Sequence, residues 1–148
     1  MGTAVAHALL TRDTGPLTVV DPLTDRAEAL AGSLNRQFGN GRASASTPDG
    51  LQAATAGADG LVHTSPAGVV AHHGLPLPAD LARLGSRVVD VLYQPFEPEL
   101  LARARGRTAL NGGGLLVFQG AEAFRLVTGR QADRTRMLAH AAEPAASE

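Results

Sequence analysis

Residues 17–38, LTVVDPLTDRAEALAGSLNRQF, contain the change of period that decides the fold. Leu17-Thr18-Val19-Val20 is a short β-rich apolar run, preceded by the turn signal Thr14-Gly15-Pro16 and closed by an acid, Asp21. From Thr24 the spacing becomes helical: Ala27, Leu30, Leu34 and Phe38 fall on one face, and Asp25 with Glu28 makes a capping-box-like start. Gly39, Asn40 and Gly41 stop the helix. A strand that feeds an amphipathic helix is the beginning of a βαβ unit.

The same alternation runs outward in both directions. Before the strand, about Thr3 to Arg12 reads as a helix already under way at the start of the chain. After it, RASAS (42–46) is a weak strand, DGLQAATAG (49–57) a short helix and GLVHT (60–64) a strand. SPAGVVAHHGLPLP (65–78) reads as a long loop, ADLARL (79–84) as a helical turn and SRVVDVL (86–92) as a strand. EPELLARARG (97–106) is a helix with Pro98 near its first turn, where proline is tolerated. TALN (108–111) is a strand, Gly112-Gly113-Gly114 a turn, and LLVFQGAEAFRLVTG (115–129) a helix offering Leu116, Phe118, Ala121 and Phe124 for packing. A last helix spans about 134–142, and 143–148 form a polar tail. Strands alternating with helices at this spacing predict an α/β fold with a parallel sheet in one domain, 1–142, without repeats or an internal linker.

Composition narrows the function. The 148 residues are enough for one domain, and 44% hydrophobic with 18% charged residues is the balance of a soluble globular protein. No window reaches the roughly 18 apolar residues of a membrane span, and no signal-peptide pattern follows Met1, so the cytoplasm is the expected compartment. Cysteine is absent, which excludes disulfides and thiol catalysis. The net charge of −1 offers no general attraction to nucleic acid, and Arg103, Arg105 and Arg107, without interleaved aromatics, read as a solvated helix end. All 13 basic residues are arginine.

One constellation points to a dinucleotide. In a dinucleotide-binding βαβ unit the strand leads into G-x-G-x-x-G, the helix N-terminus holds the pyrophosphate, and an acid about 20 residues on takes the ribose hydroxyls. Gly2, followed by Thr3, can be only the last of those glycines, and Asp21 stands 19 residues later at a strand end. On these residues alone a turn or cap role for Asp21 is the commoner one.

Four segments carry a more specific resemblance. GTAVAHALL with LTVVD and RAEALA, then ADGLVHTSPAGVVAHHG, VVDVLYQPFEPELL and NGGGLLVFQGAEAFRLVTG, are similar in order and spacing to the C-terminal, nucleotide-binding domain of the shikimate/quinate dehydrogenase family. The resemblance implies a Rossmann-like doubly wound parallel sheet. It makes Thr64, Ser65, Pro66, Ala67, Gly68 and Val69 a loop beside the nicotinamide. It aligns Asp90, Tyr93 and Pro95 with the family's D-x-x-Y-x-P, with Tyr93 facing the substrate. It places Gly112, Gly114, Leu115, Val117 and Gln119 on a helix start where Gly114 and Leu115 lie near the nicotinamide and Gln119 reaches the substrate hydroxyls. Val69 and Leu115 replace the family's usual methionines, His63 replaces asparagine and Pro98 replaces threonine.

The resemblance also implies what is missing. The family's catalytic lysine and its aspartate partner belong to an N-terminal substrate domain, and this chain has no lysine. No catalytic residue is therefore assigned here. If Gly2 is the third glycine of the nucleotide loop, the first strand of the order 3-2-1-4-5-6 and the start of that loop are absent, and the chain reads as N-terminally truncated. Two strands then keep an unpaired edge, and a product that is poorly stable or aggregation-prone is expected unless a second copy or a complementing chain fills the place.

Cofactor choice follows from Asp21. A carboxylate at the strand end accepts hydrogen bonds from a ribose diol and repels a 2′-phosphate, which favours NAD, with NADP less favoured; Arg26, five residues on, is the feature that could readmit the phosphate. His72 and His73 lack a third ligand at useful spacing, so no metal is expected. Asp90 reads as a structural hydrogen-bonding residue before a general base, and Tyr93 without its context as a half-buried packing residue.

Three readings remain open. The first is the cofactor-binding part of a dehydrogenase that interconverts shikimate and 3-dehydroshikimate, or quinate and 3-dehydroquinate, with a small-molecule substrate and no nucleic-acid or membrane partner. The others are an inactive remnant and a non-catalytic module for a small ligand or a partner.

Overall fold

Alternating periods produce alternating elements in the computed structural model, which describes residues 1–65, 87–93, 99–104 and 108–142. The chain divides into two compact units, Met1–Ala58 and a second beginning at Asp59.

The first unit runs α1 (Gly2–Thr11), β1 (Leu17–Val20), α2 (Thr24–Phe38), β2 (Ala43–Ser46), a 3-10 turn (Pro48–Gly50) and α3 (Leu51–Thr55). β1 and β2 are parallel, in register from Leu17 beside Ala43 to Val20 beside Ser46. The core is built on small residues: Ala6 and Leu10 of α1, Ala31 and Leu34 of α2 and Ala43 of β2 are buried, with Leu17, Val19, Leu30 and Phe38 packed around them. Alanine on facing positions lets the helices lie close to the strands. Asp13 takes a left-handed conformation, φ 55°, which a short polar side chain tolerates, and it turns the chain between α1 and β1. Since α1 and β1 share this core and are joined by so short a turn, they run antiparallel. The first turn of α1 and the C-terminal end of β1 therefore lie at the same end of the unit.

Asn35 ties α2 to β2. Its side-chain nitrogen donates to the Ala43 carbonyl at 2.8 Å and its oxygen accepts from the Ala43 N–H at 2.8 Å, so one amide substitutes for a strand neighbour.

The second unit holds β3 (Gly60–His63), β4 (Arg87–Asp90), α4 (Glu99–Arg103), β5 (Thr108–Leu110), α5 (Gly113–Thr128) and α6 (Arg134–Ala142). Its sheet has the order β3-β4-β5 and is parallel throughout, with His63 beside Asp90 and Val89 beside Leu110. Val88 packs with Leu100, Leu101 and Ala104. α5 buries Gly113, Val117 and Ala121, one residue per turn, and α6 crosses it where Gly120 meets Met137 and the Arg134 guanidinium lies 5.8 Å from the Phe118 ring centre. The exposed Glu122–Arg125 pair on α5, 2.6 Å apart, holds the Glu122 carboxyl below its usual range. An exposed pair of this kind adds little to stability. Among the described residues β1 pairs only with β2, and β3 only with β4.

Several expectations change in detail. The capping box does not form: Leu23 is the N-cap of α2 without a side-chain cap bond, and Asp25 and Glu28 are exposed. The Asp21 carboxylate instead accepts from the Leu23 N–H at 2.8 Å, which satisfies the chain just ahead of the helix. The three glycines are not a free turn. α5 begins at Gly113, whose N–H is accepted by the Asn111 side chain at 3.1 Å, so Asn111 takes the capping role one residue early. Phe118 and Phe124 are 51% and 43% exposed, because the buried stripe passes through Val117 and Ala121 instead. The loop from Pro66, the helical turn at 79–84, Pro95, Pro98, Arg105, Arg107 and the tail lie outside the described residues.

Candidate functional site

Parallel strands in register end together, and the C-terminal ends of β3, β4 and β5 bring three chemically distinct segments to one edge. After β3 come Thr64 and Ser65; after β4, Val91, Leu92 and Tyr93; after β5, Asn111 and Gly112, which open α5. Two backbone bonds extend the ladders past the strands: Val91 N–H donates to the His63 carbonyl at 3.1 Å, and Gly112 N–H to the Leu92 carbonyl at 2.7 Å. The second contact is so close that a Cβ on Gly112 would stand 1.9 Å from the Val91 carbonyl oxygen. Gly112 is therefore demanded by the protein itself. Gly114 is different, since among the described residues a Cβ there would meet nothing nearer than the Phe118 ring at 4.0 Å. The missing side chain leaves open space at the first turn of α5.

A buried polar chain lies at the same edge. Asp90, 1% exposed, accepts through Oδ1 from the Leu92 N–H at 3.0 Å and from His63 Nδ1 at 3.1 Å. His63, 7% exposed, bonds through Nε2 to Ser65 Oγ at 2.6 Å. Among the described residues Asp90 Oδ2 has no hydrogen-bond partner. A carboxylate so enclosed costs free energy unless its bonds are kept, so Asp90 serves as an anchor for the strand ends.

Of the candidate site residues, Thr64, Ser65, Tyr93, Gly114, Leu115 and Gln119 belong to the second unit. Tyr93 is 47% and Leu115 38% exposed, and Gln119 is exposed on α5. Gly2, Thr3 and Asp21 belong to the first unit, the former two at the start of α1 and the last at the end of β1. α1 has no side-chain cap and no acid in its first turn, so its leading N–H groups are available to an anion. Asp21 keeps one carboxylate oxygen beyond the bond to Leu23. Pro66, Gly68 and Val69, with Ala67, His72 and His73, lie outside the described residues, among which no group of three or more metal-ligating side chains occurs. No described helix is long and apolar enough to cross a membrane.

Sequence reasoning singled out His63 only as a departure from asparagine, and Asp90 as the first residue of D-x-x-Y-x-P and a structural hydrogen-bonding acid before a general base. The His63–Asp90 register across two strands separated by 27 residues is what joins them.

Known proteins give these residues a context. Shikimate dehydrogenase (NADP(+)) of Streptomyces avermitilis is 56% identical over 144 residues, 96% of this chain and 50% of the relative. Over that half the chain is similar to the shikimate/quinate dehydrogenase family. Other members of the family include quinate/shikimate dehydrogenase (NAD(+)) of Corynebacterium glutamicum, 39% identical over 93% of this chain and 49% of the relative. The solved quinate dehydrogenase of Corynebacterium glutamicum in complex with NAD superposes with a TM-score of 0.86 at 38% identity, covering 93% of this chain and 50% of its own. Shikimate 5-dehydrogenase of Thermus thermophilus, solved with NADP(H) and shikimate, follows at 0.76 and 30% identity over 93% of this chain and 49% of its own. The fold is thus Rossmann-like, and the chain spans about half the length of the curated relatives it matches. Family members are named for NAD or for NADP. No family model matches the chain.

Proposed function

We propose that this chain is the cofactor-binding part of an NAD-dependent shikimate or quinate dehydrogenase. The observation that carries the reading is the likeness over nearly the whole chain to an NAD complex, joined to an open first turn of α5 at Gly114. NAD(H), when bound, accepts or supplies the hydride. The leading N–H groups of α1 at Gly2 and Thr3 hold the pyrophosphate, and Asp21 accepts from the adenosine ribose diol. By the family resemblance Thr64 and Ser65, with Pro66, Gly68 and Val69 from outside the described residues, serve the nicotinamide half of the cofactor, as do Gly114 and Leu115. The Tyr93 phenol and the Gln119 amide give neutral hydrogen bonds to the hydroxyls of the acid substrate.

Proton transfer is not assigned to this chain. It has no lysine, so by the family resemblance that group is supplied from outside these 148 residues. NAD is preferred over NADP because a 2′-phosphate would face the Asp21 carboxylate. Arg26, exposed on the first turn of α2, makes no side-chain hydrogen bond or ion pair among the described residues and is the one nearby cation that opposes this. The relative named for NADP makes this a choice to measure.

The test is a fluorescence titration of the chain with NADH and NADPH, followed by an assay of shikimate- and quinate-dependent reduction of NAD. Saturable NADH binding, tighter than that of NADPH, with no turnover by the chain alone is the expected result. Absence of NADH binding would favour the inactive remnant or the non-catalytic module. Turnover without another polypeptide would refute the external lysine.

A further inference from the structure

The chain has three asparagines, Asn35, Asn40 and Asn111, and the last two each precede a glycine. In such a pair the glycine nitrogen can attack the asparagine side-chain carbonyl, because no Cβ on the second residue obstructs the approach. The structure treats the two pairs in opposite ways. Asn40 and Gly41 are exposed in the turn between α2 and β2, which the Arg42 N–H closes on the Gly39 carbonyl at 3.4 Å. Gly41 has φ 81°, and a Cβ there would meet nothing within 4 Å among the described residues. Among those residues neither the Asn40 amide nor the Gly41 N–H has a hydrogen bond. Gly112, by contrast, is buried and gives its N–H to the Leu92 carbonyl at 2.7 Å, while the Asn111 oxygen is held by the Gly113 N–H at 3.1 Å.

We propose that Asn40 is a site of spontaneous deamidation and isoaspartate formation, and that the fold shields Asn111 from the same reaction. The Gly41 nitrogen loses its proton to water and bonds to Asn40 Cγ; the Cγ–Nδ2 bond breaks, and ammonia leaves with a proton from water. Water then opens the imide ring at either carbonyl, to aspartate or to isoaspartate. One water enters and one ammonia departs, with no change of oxidation state. Isoaspartate routes the main chain through the side-chain methylene, and its neighbours cannot follow freely. Arg42 is held by the Thr14 carbonyl at 2.6 Å and by Asp13 at 3.2 Å, and both backbone groups of Ala43 are held by Asn35. Either product also sets a carboxylate beside the C-terminal end of α2, where the helix dipole disfavours it.

The test ages the full chain in mildly alkaline heavy-oxygen water, with and without urea, and reads label uptake at each asparagine by peptide mapping. In the folded chain Asn40 is expected to convert at least about tenfold faster than Asn111, and in urea the two are expected to agree within about threefold, since the Leu92 bond is then lost. Equal rates in the folded chain overturn the proposal, and so does a preference that persists in urea, which would place its cause in sequence and not in the fold. The separated isoaspartate form is expected to melt roughly 2–4 °C below Asn40→Asp, which carries the charge without the longer main chain. Equal melting temperatures would refute the strain on the turn.

Discussion

Gly112 and Gly114 stand two positions apart in one motif, and the structure separates their reasons. A methyl group on Gly112 would collide with backbone, the Val91 carbonyl, which has no rotamer by which to yield. Gly112→Ala is expected to cost about 2–4 kcal/mol in chemical denaturation, the range of a forced overpacking with loss of the Leu92 bond. Gly114→Ala meets no such wall and lies in a helix, where alanine is favoured by about 0.5–1 kcal/mol. The same variant is expected to bind NADH at least tenfold more weakly, because its methyl fills the proposed ligand space, and a stabilised protein with unchanged affinity would remove Gly114 from the site. Asp21 admits a similar contrast. Asp21→Asn keeps a side-chain oxygen for the Leu23 N–H and removes the charge, so NADPH binding should rise relative to NADH by about tenfold, one charged hydrogen-bond difference. At this scale the sequence identified candidate residues by motif, but it assigned the same weight to glycines with opposite causes. Only the distance to Val91 tells them apart.

Among elements, those set by periodicity were legible and those set by end chemistry were less so. The helix expected over 24–38 is α2, residue for residue, because its apolar spacing and glycine stop agree. Its start was misread as a capping box, since Asp25 and Glu28 have the right spacing but Asp21 had already captured the backbone ahead of them. The start of α5 was likewise displaced into the glycines by the Asn111 cap. The union of α2 with β2 was not legible at all: Asn35 carries no periodic signal, yet its amide closes both Ala43 backbone groups. Asn35→Ala leaves a buried strand residue with an orphan donor and acceptor, and should cost about 2 kcal/mol in urea unfolding. Asn35→Asp should be no better than alanine, because a carboxylate accepts from the Ala43 N–H but repels its carbonyl. Full stability in either variant would show that water replaces the side chain.

For the whole molecule, the α/β class and the parallel sense of the strands followed from alternation, whereas which of the described strands pair was beyond local pattern. Strand pairing depends on which segments are present to pair, and the resemblance, not the periodicity, raised the expectation of two strands with an unpaired edge. Among the described residues, the buried alanines Ala6, Ala27, Ala31, Ala43, Ala104 and Ala121 stand beside Leu10, Leu34, Leu51, Val88, Leu100, Leu101 and Val117. Leu126, Val127, Phe118 and Leu110 are more than half exposed. A buried alanine contributes less transfer free energy than a buried leucine, and native domains are marginally stable in general, so ligand linkage is a sizeable part of any such margin. A ligand that binds only the folded chain adds about 2.7 kcal/mol at one hundred times its Kd, which corresponds to a rise in melting temperature of roughly 5–10 °C for a domain of this size. NADH at that excess is expected to produce such a shift, NADPH a smaller one, and Asp21→Asn to reverse their order. A melting temperature indifferent to both dinucleotides, in a chain whose cooperative unfolding is intact, would mean that the Rossmann-like fold has outlived its cofactor.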